Sequence, residues 1–296
     1  MSFIIGLLFR NHSISEFILT IYILNQIRID MASSIGPPNP INAMDNLNAP
    51  PKTGETPPPQ NVIVDIEKKP KAPENPVQYY VKFSFTITYI LLLTTATITV
   101  IEALRTQTPT VRHVLNLETC ISVVASYFYS IFVAQIDKYN FEKKEIDWSE
   151  ISKTRYIDWT ITTPMMLLVL CMVLGNEIGV TIHIQTILSI IVLNFGMLYF
   201  GYLGEIKSID RLTSMLSGFV FFVAMFALIY LRFVFPKYSL ANIVLFGLYF
   251  VVWSMYGVVY MFSESYKNIA MNILDLTSKC LIGLGLWAYY TKIIRL

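Results

Sequence analysis

Lys279 stands in the middle of an apolar stretch, Ile269 to Thr291, and Asp275 lies four residues before it. An ammonium at bilayer depth costs about 2.5–3.5 kcal/mol even on lenient insertion scales, so it needs a chemical reason to be there. Residues four apart on a helix share a face, which places Asp275 to offset that charge. A second carboxylate, Asp158, occurs in another hydrophobic stretch, three residues after Arg155. A lysine amine flanked by carboxylates can be a plain salt bridge tying two helices. It can also condense with an aldehyde to an imine, which the acids would keep protonated. Because a buried ion pair is a poor source of stability, the second chemistry is the stronger reading.

The elements that must position these groups follow from composition. Hydrophobic residues make up 54% of the 296-residue chain and charged ones only 14%, against roughly 25% charged in a soluble domain. That implies an integral, multi-pass membrane protein whose first partner is the lipid bilayer. The net charge of +2 gives no reason to expect nucleic acid as a partner. Cys120, Cys171 and Cys280 lie far apart inside apolar runs, without metal-ligand spacing, so no metal site is expected and they read as small buried hydrophobes.

Stretches long enough to cross ~30 Å of hydrocarbon recur near 83–104, 114–136, 154–175, 181–203, 211–235, 240–262 and 269–291. The expected fold is therefore all-α, a seven-transmembrane-helix bundle over residues 81–296. Residues 1–80 form a separate N-terminal extension. Within it, Ile35 to Pro76 is rich in Pro, Asn and Lys, with Pro57-Pro58-Pro59 and Lys68-Lys69-Pro70-Lys71, and is expected to be disordered. Phe3 to Ile29 is a signal-like or interfacial segment, or an upstream extension ahead of a start at Met31.

Charge orients the bundle. Arg105, Arg112, Arg232, Lys237, Lys292 and Arg295 gather on one side against little more than Glu177, while Asp137 to Lys153 mixes four lysines with five acids. The positive-inside rule then places the N-terminus outside and the C-terminus in the cytoplasm. Helices three and seven both enter from outside, so Asp158 and Asp275 fall on the outer side of Lys279. Trp159, Tyr156, Trp253, Tyr256 and Tyr260 are either lipid-facing and core aromatics or, together with the lysine, the walls around a long apolar chromophore, with the sixth-helix three at suitable spacing.

Three motifs carry a resemblance. Arg155-Tyr156-Ile157-Asp158-Trp159-Thr160-Ile161-Thr162-Thr163-Pro164 resembles the third-helix signature of microbial (type 1) rhodopsins. Trp253-Ser254-Met255-Tyr256 resembles their sixth-helix retinal wall, and Leu274-Asp275-Leu276-Thr277-Ser278-Lys279 their seventh-helix attachment motif. Leu117-Glu118-Thr119 and the third-helix phrase look most like rhodopsins of large algal and protist viruses, some of which are light-gated cation channels. The resemblance covers about Val81 to Leu296.

The resemblance implies all-trans retinal held as a protonated Schiff base on Lys279. It implies Asp158 as primary counterion and proton acceptor, Asp275 as second counterion, Arg155 as an outer gate, and Thr162 as hydrogen-bond partner of Asp158. Thr163, Met166 and Ser278 join the aromatic residues as retinal contacts, and Pro164 kinks the third helix. Apolar Met166 and the Ser278 hydroxyl imply green or blue-green absorption. A homo-oligomer is within the family's habits.

Departures from the pattern bear on function. The cytoplasmic donor position of outward proton pumps, eleven residues after the acceptor, is Val169, which carries no proton. The outer acid pair of such pumps has no evident equivalent, and Lys267 lies where one would fall. Gly257 replaces the proline that usually follows the sixth-helix tyrosine. Glu102 and Glu118, near the inner ends of the first two helices, either pair with Arg105 or Arg112 or line an ion path. Thr94, Thr95, Thr97 and Thr99 either line a pore or bond their own backbone. The expected function is light-activated movement of protons or other small cations, by a light-gated cation channel or a weak outward proton pump, and not enzyme catalysis. The alternative is a sensory photoreceptor signalling through a separate transducer.

Overall fold

The structure, a computed structural model, describes residues 76–142 and 144–294. The expected disordered tail and the start at Met31 lie outside these described residues. Seven helices follow in order: α1 (Pro76–Arg105), α2 (Pro109–Glu142), α3 (Trp148–Ile178), α4 (Ile184–Glu205), α5 (Arg211–Phe233), α6 (Leu240–Val259) and α7 (Glu264–Tyr290). The shortest has 20 residues, about 30 Å at 1.5 Å per residue, enough to cross a bilayer. Each contains a window of mean hydropathy between 1.4 and 2.2.

Several ends are set by local chemistry. Proline at the first position of α1 and of α2 gives up no hydrogen bond there, because the first amides of a helix have no partner within it. Asp147 caps α3 by accepting from the Ser149 and Glu150 amides, and Asp210 caps α5 by accepting from Thr213 at 2.8 Å. Both long helices beside the α2–α3 connection run past their expected ends, so Asp137 to Glu142 is helical rather than loop. Gly179 ends α3 at φ 71° with nothing near its Cα hydrogens. Gly179→Ala should therefore cost about 1–2 kcal/mol of backbone strain alone, read as a lower Tm of the detergent-solubilised protein.

Helices α1 to α5 pack as successive neighbours, and α7 closes the ring against α1. Helix α3 is the central one, with 61% of its apolar window buried against 22% for α6. The outward faces carry Ile101, Val192, Val220 and Leu248, the inversion expected when lipid rather than water is the solvent. Call the end where α1 begins the leading end and the end where α7 finishes the trailing end. Thr94, Thr95, Thr97 and Thr99 of α1 all bond backbone carbonyls one turn back; Thr94 and Thr97 face outward, and Thr99 also crosses to another helix, at 2.8 Å from Thr119.

Helix α7 is not uniform. It is α-helical over Glu264–Asp275, a π turn over Leu276–Leu281 and α-helical again over Ile282–Tyr290. Lys279 sits within the π turn. Such single wide turns are uncommon and tend to accompany function. Pro164 lies inside α3, which continues through it.

Candidate functional site

The two expensive charges of the sequence meet. Lys279 Nζ lies 2.7 Å from Asp158 Oδ2 and 3.6 Å from Asp275 Oδ2, with all three residues at most 1% exposed. Helix α3 delivers Asp158 and α7 delivers the other two, so the pair joins the central helix to the broken one. The first contact is short, as charge-assisted hydrogen bonds are.

The two carboxylates differ in what else they hold. Asp275 accepts from the Tyr256 hydroxyl at 2.6 Å, the Tyr129 hydroxyl at 2.8 Å and the Trp159 indole N–H at 3.3 Å. Asp158 binds only the lysine through Oδ2, and its Oδ1 has no hydrogen-bond partner. Thr162, expected to bond Asp158, donates instead to that residue's main-chain carbonyl at 2.9 Å. A threonine inside a helix finds the carbonyl one turn back nearest, and that bond occupies its only hydrogen.

Arg155 closes the leading side of the site. Its guanidinium is 3.7 Å from Asp275 and donates to the Asn268 and Asn272 side-chain carbonyls at 3.0 and 2.9 Å and to the Tyr129 hydroxyl at 3.4 Å. It also lies 5.2 Å from the Phe85 ring centroid and 5.1 Å from that of Phe132. Two buried cations thus face two buried carboxylates, which is how charges come to be tolerated in a low-dielectric interior. Asn272 passes the chain on to Ser84 of α1 at 2.8 Å.

From the lysine, a mainly apolar cavity runs between α3, α4, α5 and α6. Tyr156, Trp159, Thr163, Met166, Trp253, Tyr256, Tyr260 and Ser278 all line it, as expected for each. Asp275 and Lys279 form its polar end, whereas Arg155, Asp158 and Thr162 stand behind that wall. The Ser278 hydroxyl is 3.0 Å from Tyr256, and Thr163 accepts from Asn194 at 2.8 Å. The indole N–H of Trp253 is buried without a partner.

Residues that sequence reading passed over complete the picture. Tyr129 was one of 18 tyrosines and carried no local signal. Asn268 and Asn272 did carry one, since they continue the Asp275–Lys279 face at helical spacing. At the leading end, Lys267 is 1% exposed and binds Glu205 at 2.8 and 2.9 Å and Glu264 at 2.8 Å, while Arg211 holds Glu264 at 2.6 Å. Two acids, one from the end of α4 and one from the start of α7, are thus gathered around this lysine at the leading end.

Toward the trailing end, Val169 is buried and Glu118 is 2% exposed. Neither Glu118 nor Glu102 forms an ion pair with Arg105 or Arg112 among the described residues; Arg112 donates to the Thr106 carbonyl instead. Glu118 points at Gly283, one turn past Lys279. A Cβ there would come within 2.8 Å of Glu118 Oε2, so the missing side chain is what admits the carboxylate.

Seven apolar helices around a buried lysine, two carboxylates and an aromatic cavity define a polytopic membrane protein with an interior site. The chain belongs to the bacteriorhodopsin-like family: residues 80–293 match the family described as Bacteriorhodopsin-like protein. The structure of the viral rhodopsin OLPVRII is 42% identical, with a TM-score of 0.67, over 73% of this chain and 99% of that one. The blue light-absorbing proteorhodopsin from Med12 is 20% identical, with a TM-score of 0.59, over 73% and 100%. The proton-pumping rhodopsin AR2 from the marine alga Acetabularia acetabulum is 19% identical, with a TM-score of 0.59, over 72% and 96%. These last two show a shared fold. A search of curated protein sequences gave no match.

Proposed function

We propose that the chain is a light-activated retinal protein that moves protons or other small cations across its membrane, N-terminus outside and C-terminus in the cytoplasm. The observation that carries this is Lys279, held 2.7 Å from Asp158 at the polar end of a cavity lined by aromatic residues. The residues fit all-trans retinal: one amine for the aldehyde, two acids for the resulting cation, and an apolar sleeve for the polyene, with Trp253 and Tyr256 as walls. Retinal supplies absorption of visible light and a light-driven change of shape.

The chain's own groups divide the remaining work. Asp275, with three donors on its carboxylate, is the fixed counter-charge. Asp158, with one oxygen free, is the acceptor of a proton from the Lys279 nitrogen. Arg155, Asn268 and Asn272 carry the polar chain outward, and the AR2 pump shares this fold. On the inner side Val169 carries no proton at the usual α3 position, so Glu118, facing Gly283, is the proton source we assign. Glu118→Gln is expected to slow recovery after a flash by about tenfold or more without moving the visible band. Transient absorption checks it, and unchanged recovery would remove Glu118 from the path.

Voltage clamp of the expressed, retinal-loaded protein under illumination separates the modes. A current that reverses with voltage means a cation channel, and a current of fixed sign means an outward proton pump. No current at all would defeat the ion-moving reading and leave a sensory photoreceptor.

A further inference from the structure

The cavity has a weak wall. At the leading end it is closed by Tyr260, whose hydroxyl lies 3.0 Å from both the Gly201 carbonyl and Ser214 Oγ, and beyond that by the Lys267 ion pairs. On the α3–α4 side the Asn194–Thr163 hydrogen bond and the Tyr156–Tyr202 ring contact at 5.6 Å close it. Toward the trailing end stand Phe222 and Phe226, 4.7 Å apart, with Trp253 against Phe226 at 6.0 Å. Between α5 and α6 the packing is sparse. Among the described residues no hydrogen bond joins these helices between Ser214–Tyr260 at one end and Asn242–Phe233 at the other.

What fills that seam is a ring laid on a glycine. A Cβ on Gly257 would lie 2.8 Å from Phe219 Cζ, so the Phe219 ring occupies the notch that the absent side chain leaves. Phe219 and Gly257 both line the cavity and are both half-buried, reaching from its interior to the outside of the bundle. Around them the outer surface is hydrocarbon: Val220 is 70% exposed, Leu216 56% and Val258 49%.

The geometry points to Phe219, seated in the Gly257 notch, as the movable plug of a lateral port through which a long apolar carbonyl compound passes from the bilayer core to Lys279. This rests on the retinal reading and adds its route. A polyene aldehyde partitions into lipid because of its apolar surface, and reaching the lysine through the leading end would require breaking buried ion pairs and hydrogen bonds, and through the trailing end parting the packed Phe222, Phe226 and Trp253 rings. Crossing the α5–α6 seam breaks none, and it brings the aldehyde first to the only amine in the cavity. Rotation of one phenyl ring about χ1, out of the notch at position 257, opens the way.

The test uses full-length apoprotein in phosphatidylcholine vesicles, mixed with vesicles loaded with all-trans retinal. Arrival is followed by quenching of tryptophan fluorescence, since Trp159 and Trp253 line the cavity. Attachment is followed by growth of the visible band. Phe219→Ala should speed arrival by about tenfold and Phe219→Trp should slow it comparably, each rate taken from a time course scaled to its own final amplitude. Phe219→Leu, a milder change, should fall between wild type and Ala and guards against misfolding of the Ala variant. Val192→Trp, on the lipid face of α4, should match wild type. Wild-type arrival rates in all three Phe219 variants, with full final pigment, would overturn the port. Should wild type develop no visible band, or should Lys279→Ala develop the same one, the retinal reading itself fails.

Discussion

Lys279→Ala is expected to leave a colourless protein after exposure to retinal and to destabilise the bundle by about 3–5 kcal/mol. The second effect comes from electrostatics rather than from lost packing. Two carboxylates would then face Arg155 alone, and breaking a buried pair strands a charge with no water to receive it. Removing the stranded charge as well should therefore restore stability. The double variant Lys279→Ala/Asp158→Asn is expected to recover most of the loss while remaining colourless, because Asp158 and Lys279 are in direct contact and their effects cannot add. Tm in detergent and absorbance after retinal addition measure the two halves separately. If the double variant were less stable than the single one, the pair would not be the compensating unit that its 2.7 Å contact implies.

Asp158→Asn alone should keep the colour and abolish the light-driven transfer. The amide retains the shape and one acceptor oxygen but has no charge with which to receive a proton. Losing a positioned proton acceptor costs about 10²–10⁴-fold in the transfer rate. The resting band should move to longer wavelength, since a cation without its nearest counter-charge spreads along a polyene more readily. Asp275→Asn offers the contrast. That carboxylate is held by Tyr129, Tyr256 and Trp159, so its loss leaves two hydroxyls and an indole aimed at a group of the wrong charge. It should cost more stability than Asp158→Asn and alter the transfer less. Flash photolysis together with thermal unfolding distinguishes the two acids, and equal behaviour would refute the division of labour proposed for them.

How much of this could be read from the chain alone depended on whether the cost of a residue was visible locally. Seven spans announced themselves because a bilayer demands about 20 apolar residues in a row. Lys279, Asp275 and Asp158 announced themselves because charge inside such a run is expensive wherever its partner lies. Asn268 and Asn272 lay on the same helical face and could have been found by extending that stripe backward. Glu205 and Lys267 could not have been paired this way. They are 62 residues apart at the ends of different helices, and each, seen alone, is an ordinary charge near a membrane surface. Tyr129 was hidden for the opposite reason, since an aromatic residue in an apolar helix costs nothing and its hydroxyl matters only once α7 is beside it. Thr162 does bond Asp158, as the motif implied, but at the main-chain carbonyl, and a sequence cannot say which oxygen of that residue takes the bond.

The π turn of α7 can be understood as one extra residue carried in a helix that would otherwise run straight. Each residue of an α-helix advances about 100° around the axis, so the segment after Leu281 is turned by roughly that angle from where an uninterrupted helix would have put it. The leading half of α7 can then keep Asn268, Asn272 and Asp275 toward Arg155, while the trailing half shows Gly283 to Glu118. An unbroken helix would have had to choose one of these faces for both neighbours. Lys279 lies where the two settings meet, so the attachment point of the site is also the place where one helix changes which side it presents.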